Sequence, residues 1–179
     1  MSPAPNADAL PARPLLLEMT RYLRDTYVPR LARALAILPQ GELWWRPHPG
    51  AISFGTVLLH LEGNVRQWIC SGLGGAPDAR DRASEFAAED GPEGAVLLAR
   101  LAATVDEACR VIERMDAGAL TGKHRIQGNE VTGLYAVVHV VEHFAWHTGQ
   151  AVWIAKARAG AAHGLAFYDE ARVNAARNG

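Results

Sequence analysis

Apolar residues recur at three- and four-residue steps near the start of the chain: Leu16, Met19, Leu23, Tyr27, Leu31, Leu35 and Leu38. That spacing puts them on one face of an α-helix turned toward a core. The helix is expected to open near Pro14, since proline is tolerated in a first turn, and to kink at Pro29. Pro39, Gly41, Pro47, Pro49 and Gly50 exclude regular helix between 39 and 50. A second helix is predicted from Ser53, acting as N-cap, to about Ser71, where the glycine-rich stretch 72–75 stops it. Residues 72–91 are polar and read as irregular. A third helix opens at Pro92 and carries Val96, Leu97, Leu101, Thr104, Ala108, Val111, Ile112 and Met115. Residues 116–130 form another connection. The fourth helix runs from about Thr132 to Ala159 and ends before Gly160.

No segment sustains the period-two alternation of a half-buried strand, so a sheet of any size is not expected. No internal repeat is visible. The pattern predicts an all-α chain folded as a four-helix bundle with long inter-helix connections. The 20 residues of 72–91 reach about 65 Å when extended, more than twice the length of an 18-residue helix. The second and third helices can therefore run parallel. The domain organisation read from this pattern is a loose leader at 1–13, one domain at 14–170 and a tail at 171–179.

Composition narrows the class. The 179 residues are 49% hydrophobic and 21% charged, enough for one globular domain. Eighteen basic residues balance 19 acidic ones with no basic block, which argues against nucleic acid as a partner. The start, Met-Ser-Pro-Ala-Pro-Asn-Ala-Asp, has no charged segment leading into an apolar run, and no stretch approaches the roughly 20 apolar residues of a membrane span. Cys70 and Cys109 fall on separate helical segments without metal or redox spacing. A cytoplasmic chain with reduced thiols and no membrane partner is the expectation.

The chemistry concentrates in histidine. His139, His143 and His147 lie on one helix, each step turning about 400°, so that all three share a stripe roughly 80° wide. Two imidazoles at i and i+4 can converge on one metal ion. Three cannot, because His139 and His147 are about 12 Å apart along the axis, whereas ligands of one ion sit about 3–4 Å apart. A third ligand must come from another helix, and His60 is placed to supply it. Its face on the second helix includes Val57, Leu61, Asn64 and Trp68 and must meet the core. Glu62 and Arg66 project to the other side, toward solvent. A core histidine satisfied by a hydrogen bond fits the same spacing as a metal ligand, and both readings stand at this point. His48, His124 and His163 fall in loops or the tail and read as surface residues. Trp44, Trp45, Trp68, Trp146 and Trp153 fit either a pocket wall or the core, the core being the commoner fate.

Several segments resemble the DinB-like superfamily, also called DinB/YfiT-like metalloenzymes. Trp44-Trp45-Arg46-Pro47 is similar to the approach to the second helix in one branch. Ser53 to Leu61, followed by Asn64-Val65-Arg66-Gln67-Trp68-Ile69, resembles that branch's second helix. His139-Val140-Val141-Glu142-His143-Phe144-Ala145-Trp146-His147-Thr148-Gly149-Gln150 resembles the signature His-x3-His-(Thr/Arg)-Gly-Gln, and Gly164-Leu165-Ala166-Phe167-Tyr168-Asp169 the usual finish. The resemblance extends from the first helix to about residue 170. It implies an up-down-down-up bundle, frequently a homodimer, and a three-histidine metal site at His60, His143 and His147. Asn64, His139 and Gln150 then fall one turn from ligands as supports, with Tyr135 on the same stripe.

Three neutral imidazoles leave a divalent ion its full charge and an open position, the pattern of a catalytic site. Zinc and nickel both suit imidazole. The favoured expectation is a metal-dependent transferase that adds a low-molecular-weight thiol to an electrophilic small molecule, by analogy with superfamily relatives. The alternatives are a metal-dependent hydrolase and a non-catalytic metal-binding or dimerisation module in stress response. For the last, the fourth helix carries a second apolar row, Val137, Val141, Phe144 and Val152, which suits either a central helix or a subunit contact.

Overall fold

The structure is a computed structural model and describes residues 12–175. The chain is mostly helical. Helix α1 spans Ala12–Arg21 and continues through a π-helical turn, Tyr22–Tyr27, into α2, Val28–Ile37. In place of the kink or interruption expected at Pro29, the helix stays continuous and passes through this π-helical turn just ahead of the proline. Proline has no N–H to give and its ring crowds the carbonyl four residues back, so the preceding turn widens instead of breaking. The expectation of a loose leader falls on residues that, apart from the helical start at Ala12, lie outside the described ones.

Helix α3 spans Phe54–Val65 and runs on through a second π-helical turn, Arg66–Ser71. Ser53 caps it as predicted, its hydroxyl accepting from Thr56 N at 3.0 Å. Helix α4, Arg82–Ala87, lies inside the connection read as irregular, capped by Asp81. Helix α5 spans Gly94–Ile112, and α6 is a short turn at Ala117–Thr121. Helix α7, Gly133–Ala159, has Thr132 as N-cap, and α8 covers Glu170–Ala175, across the expected boundary between domain and tail.

The helical expectation needs one correction. Residues 116–130 are not a bare connection: β1, Lys123–Ile126, pairs antiparallel with β2, Asn129–Thr132, placing Ile126 opposite Asn129. The turn is Gln127-Gly128, both at positive φ (51° and 79°), the geometry of a two-residue hairpin loop. Ile126 is buried at the end of β1, against the bundle.

One core holds the helices together. Leu23, Leu31, Phe54, Leu61, Leu101, Ile112, Val140 and Phe144 are all buried in it. Helix α3 packs on both α5 and α7, and α2 packs on α7. The second apolar row of α7 is largely covered within the chain: Val137, Phe144 and Thr148 are buried, and Tyr27 stacks on Phe144 at 5.8 Å. Glu62, expected in solvent, is half-buried and pairs with Arg100 at 3.0 Å. Among the described residues, no helix is long and apolar enough to cross a membrane.

Candidate metal centre

Packing of α3 against α7 sets His60 opposite His143 and His147. One ring nitrogen from each lies within 4.8 Å of the other two, and among the described residues this is the group of side chains able to hold a metal ion. His60 Nε2 and His143 Nε2 are 2.9 Å apart. His60 is 4% exposed, and the other two are half-buried.

The far side of the His60 ring is held by a residue the sequence did not single out. Glu85, on α4, accepts from His60 Nδ1–H at 2.9 Å. Its carboxylate is gripped in turn by Arg80, which donates through Nε at 2.7 Å and Nη2 at 2.8 Å, while Arg80 Nη1 donates to Gln67 at 3.1 Å. A carboxylate behind one ring nitrogen fixes the proton there and turns the lone pair of the other nitrogen toward the centre. Arg80, with a side chain only 4% exposed, favours the ionised form of the carboxylate. Burial alone would push the Glu85 carboxyl up, but the hydrogen bonds from Arg80 and His60 outweigh it and hold it below the usual range.

Burial also decides the charge of the α7 histidines. It pushes His143 down to about 3, helped by His147, His60 and His139. His147 falls to about 4, mainly through burial and then His60, with the neighbouring Gln150 pulling weakly the other way. Neutral imidazoles with free lone pairs are what a metal requires. Two nitrogens 2.9 Å apart suit this, since both can point at one cation. His147 Nδ1 is buried and finds no hydrogen-bond partner among the described residues, a vacancy that coordination or a shift of the ring would relieve. The donor set fits a divalent transition ion.

A pH dependence follows. Between the lowered values of His143 and His147 and the ordinary 6.5, the unfolded chain binds protons that the folded chain refuses. Metal-free stability is thus full above about pH 6.5 and falls as pH drops toward the lowered values. Thermal unfolding of chelator-treated protein should show Tm declining from about pH 6.5, before carboxylates titrate near 4. A flat profile down to about pH 5 would mean that these rings are solvated.

The remaining candidates divide. His139 stacks on His143 at 5.4 Å and lies 4.0 Å from Trp68, outside the cluster. Burial lowers its pKa, with Glu142 opposing. Tyr135 is mostly exposed and stacks on His139 at 6.2 Å. Asn64 is buried one turn beyond His60, its Oδ1 without a partner among the described residues. Gln150 lines the pocket described next.

That pocket has a volume of about 960 Å³ and opens onto all three histidines. Its walls come from the 47–52 loop, from Arg82 and Phe86 on α4, and from Trp146, Gly149 and Trp153 on α7. The Trp-Trp-Arg segment fixes the loop. Trp44 lies against Gly55, where an added Cβ would come within 2.7 Å of its ring. Trp45 lies under the Arg158 guanidinium at 4.5 Å, and Glu42 pairs with Arg158 at 2.8 Å. Arg46 donates to Phe86 O and Ala88 O, tying the loop to the end of α4. Of the five tryptophans, Trp146 and Trp153 line the pocket, and Trp68 joins the core.

Gly63 explains how Glu85 reaches His60. An added Cβ would fall inside the Glu85 carboxylate and within 2.9 Å of Arg80 Nε. Gly63→Ala is expected to cost about 1–3 kcal/mol, as overpacking does, and to weaken zinc binding at the same time. Thermal unfolding and zinc titration check this; wild-type values in both would show that the carboxylate is not held over α3.

A mostly helical domain in which histidines from two helices share one centre defines a protein of the DinB-like class. The chain belongs to the mycothiol-S-transferase family, whose model matches residues 18–160. Among solved structures it resembles a DinB-like protein (YjoA) from Bacillus subtilis, with a TM-score of 0.61 and 14% identity over 87% of this chain and 98% of that one. No curated protein matches the sequence.

Proposed function

We propose that this chain is a metal-dependent thiol S-transferase, with His60, His143 and His147 holding one zinc or nickel ion. The observation that carries the reading is the opening of the three-histidine centre onto a pocket of about 960 Å³, at the large end of small-molecule sites and roomy enough for a thiol and its acceptor together. A divalent ion held there supplies the positive charge that keeps a bound thiol ionised near neutral pH. Family membership favours mycothiol as that thiol.

The chain's own residues do the rest. Glu85 and Arg80 keep His60 in the tautomer that presents Nε2. Phe86, with its ring 4.7 Å from that of His60, screens one side of the centre from water. The sulfur has to come from outside the chain, because burial pushes the Cys70 thiol up to about 11 and that of Cys109 to about 12. In the reaction the thiol proton passes to water, the sulfur lone pair forms the new C–S bond, and the bonding pair of the acceptor leaves with its leaving group. Among the described residues no Asp or Glu lines the pocket to serve as the general acid for a departing amine or alkoxide, which weighs against the hydrolase reading.

The up-down-down-up path and a cytoplasmic location belong to the same proposal. The path is supported by the contacts of α3 with α5 and α7. A homodimer would use another face than the buried row of α7, with exposed Tyr135 and Val138 as candidates.

The test is consumption of mycothiol with 1-chloro-2,4-dinitrobenzene by zinc-loaded and chelator-treated protein. Zinc-dependent thioether and chloride in equal amounts are expected. Ester or amide turnover without thiol, or silence in both assays from metal-loaded protein, would overturn the reading.

A further inference from the structure

We propose that the acceptor taken by this pocket is a small molecule with a flat apolar body and one anionic group. The body rests over Gly149 between Trp146 and Trp153, and the anion meets Arg82. The inference rests on the transferase reading and names its substrate class.

Trp146 and Trp153 are 65% and 61% exposed, and both stand on the pocket wall. Positions 146, 149 and 153 follow three- and four-residue steps, so they form one stripe on α7 with glycine between two aromatic rings. Glycine in the interior of a helix of 27 residues is unfavourable. Neighbouring protein does not require it here, because an added Cβ at 149 would meet nothing within 4 Å. The glycine instead leaves an open, flat-floored notch facing the pocket. Indoles flanking such a notch bind planar rings by stacking.

Charge defines the other end. Arg82 is exposed, with its guanidinium 4.6 Å from the Phe86 ring, and that ring is the one beside His60. Among the described residues Arg82 makes no ion pair or hydrogen bond, whereas Arg80 spends its guanidinium on Glu85 and Gln67. Among the described residues no Asp or Glu lines the pocket, so no carboxylate of its wall competes for Arg82. A guanidinium stacked on an aromatic ring keeps its N–H edge free for a carboxylate.

The experiment is titration calorimetry with trans-cinnamate and its neutral counterpart cinnamamide, on chelator-treated protein so that no metal can recruit the carboxylate. Cinnamate is expected to bind at least about tenfold more tightly, the difference that one favourable charged contact makes. Arg82→Gln should abolish that difference and leave cinnamamide unchanged. Trp146→Ala should weaken both probes. Gly149→Leu should block both without lowering Tm. Equal affinity for the two probes, or an Arg82→Gln or Gly149→Leu protein that binds like wild type, would overturn the proposal; so would indoles hidden by a second copy of the chain. Because these measurements need no metal, failure here is distinct from failure of the zinc-dependent thiol assay, which tests the transferase reading by itself.

Discussion

Alanine at position 143 is expected to leave a folded protein that no longer retains stoichiometric metal. His143 contributes one of three nitrogens, and its Nε2 lies 2.9 Å from that of His60. Losing even an outer partner of a metal ligand typically costs about 10–100-fold in affinity or activity, so losing a ligand itself should cost more than about 100-fold in zinc affinity and in thiol transfer. Folding should survive. The ring is half-buried at a pocket floor, and its removal relieves a desolvated imidazole rather than opening the apolar core. Elemental analysis of protein purified without a nickel column, for wild type, His60→Ala and His143→Ala, makes the comparison. Full metal content in both variants would remove the proposed site.

Glu85→Ala is expected to be the most damaging change outside the three histidines, and it acts in two ways. It leaves the Arg80 guanidinium, 4% exposed, without a carboxylate, facing the Gln67 amide oxygen at 3.1 Å and the His60 Nδ1 at 3.1 Å. Breaking a buried ion pair by removing one partner costs about 3–5 kcal/mol. For a chain of this size that lowers Tm by roughly 6–20 °C. It also frees the His60 ring to change tautomer or rotate, which should weaken zinc binding by about 10–100-fold. The double variant Arg80→Met with Glu85→Leu separates the two effects. An apolar pair of similar volume can restore stability, yet it offers no acceptor for His60 Nδ1–H, so the zinc deficit should persist. Recovery of both stability and zinc affinity would reduce Glu85 to a folding residue.

The histidine centre was legible because helical geometry is rigid. A four-residue step on α7 and a core-facing position on α3 leave few ways for His60, His143 and His147 to sit once the two helices pack. The Ser53 cap was legible for a similar reason, since a hydroxyl just ahead of an apolar periodic run marks a helix start. Glu85 was not. Its helix has six residues, too few to show a period, and its partners His60 and Arg80 come from a different helix and from irregular chain. The nearest signal was Gly63, a glycine inside an otherwise apolar helix, which often marks a close approach by something else. The hairpin escaped because its strands have four residues each and its turn is Gln-Gly, not the Asn-Gly that announces such loops. The role of Trp146 and Trp153 depended on which side of α7 the bundle leaves bare, and both faces of that helix carry apolar residues.

The chain between Gly72 and Pro92 has a consequence for anyone shortening this protein. A designer trimming it to a minimal scaffold would delete that segment first, since it has no long helix and adds little to the main core. The product would keep α3 and α7 and look sound by circular dichroism. It would lose the strut behind His60 and one wall of the pocket in the same cut, leaving a well-made frame in which that ring can swing away from its two partners.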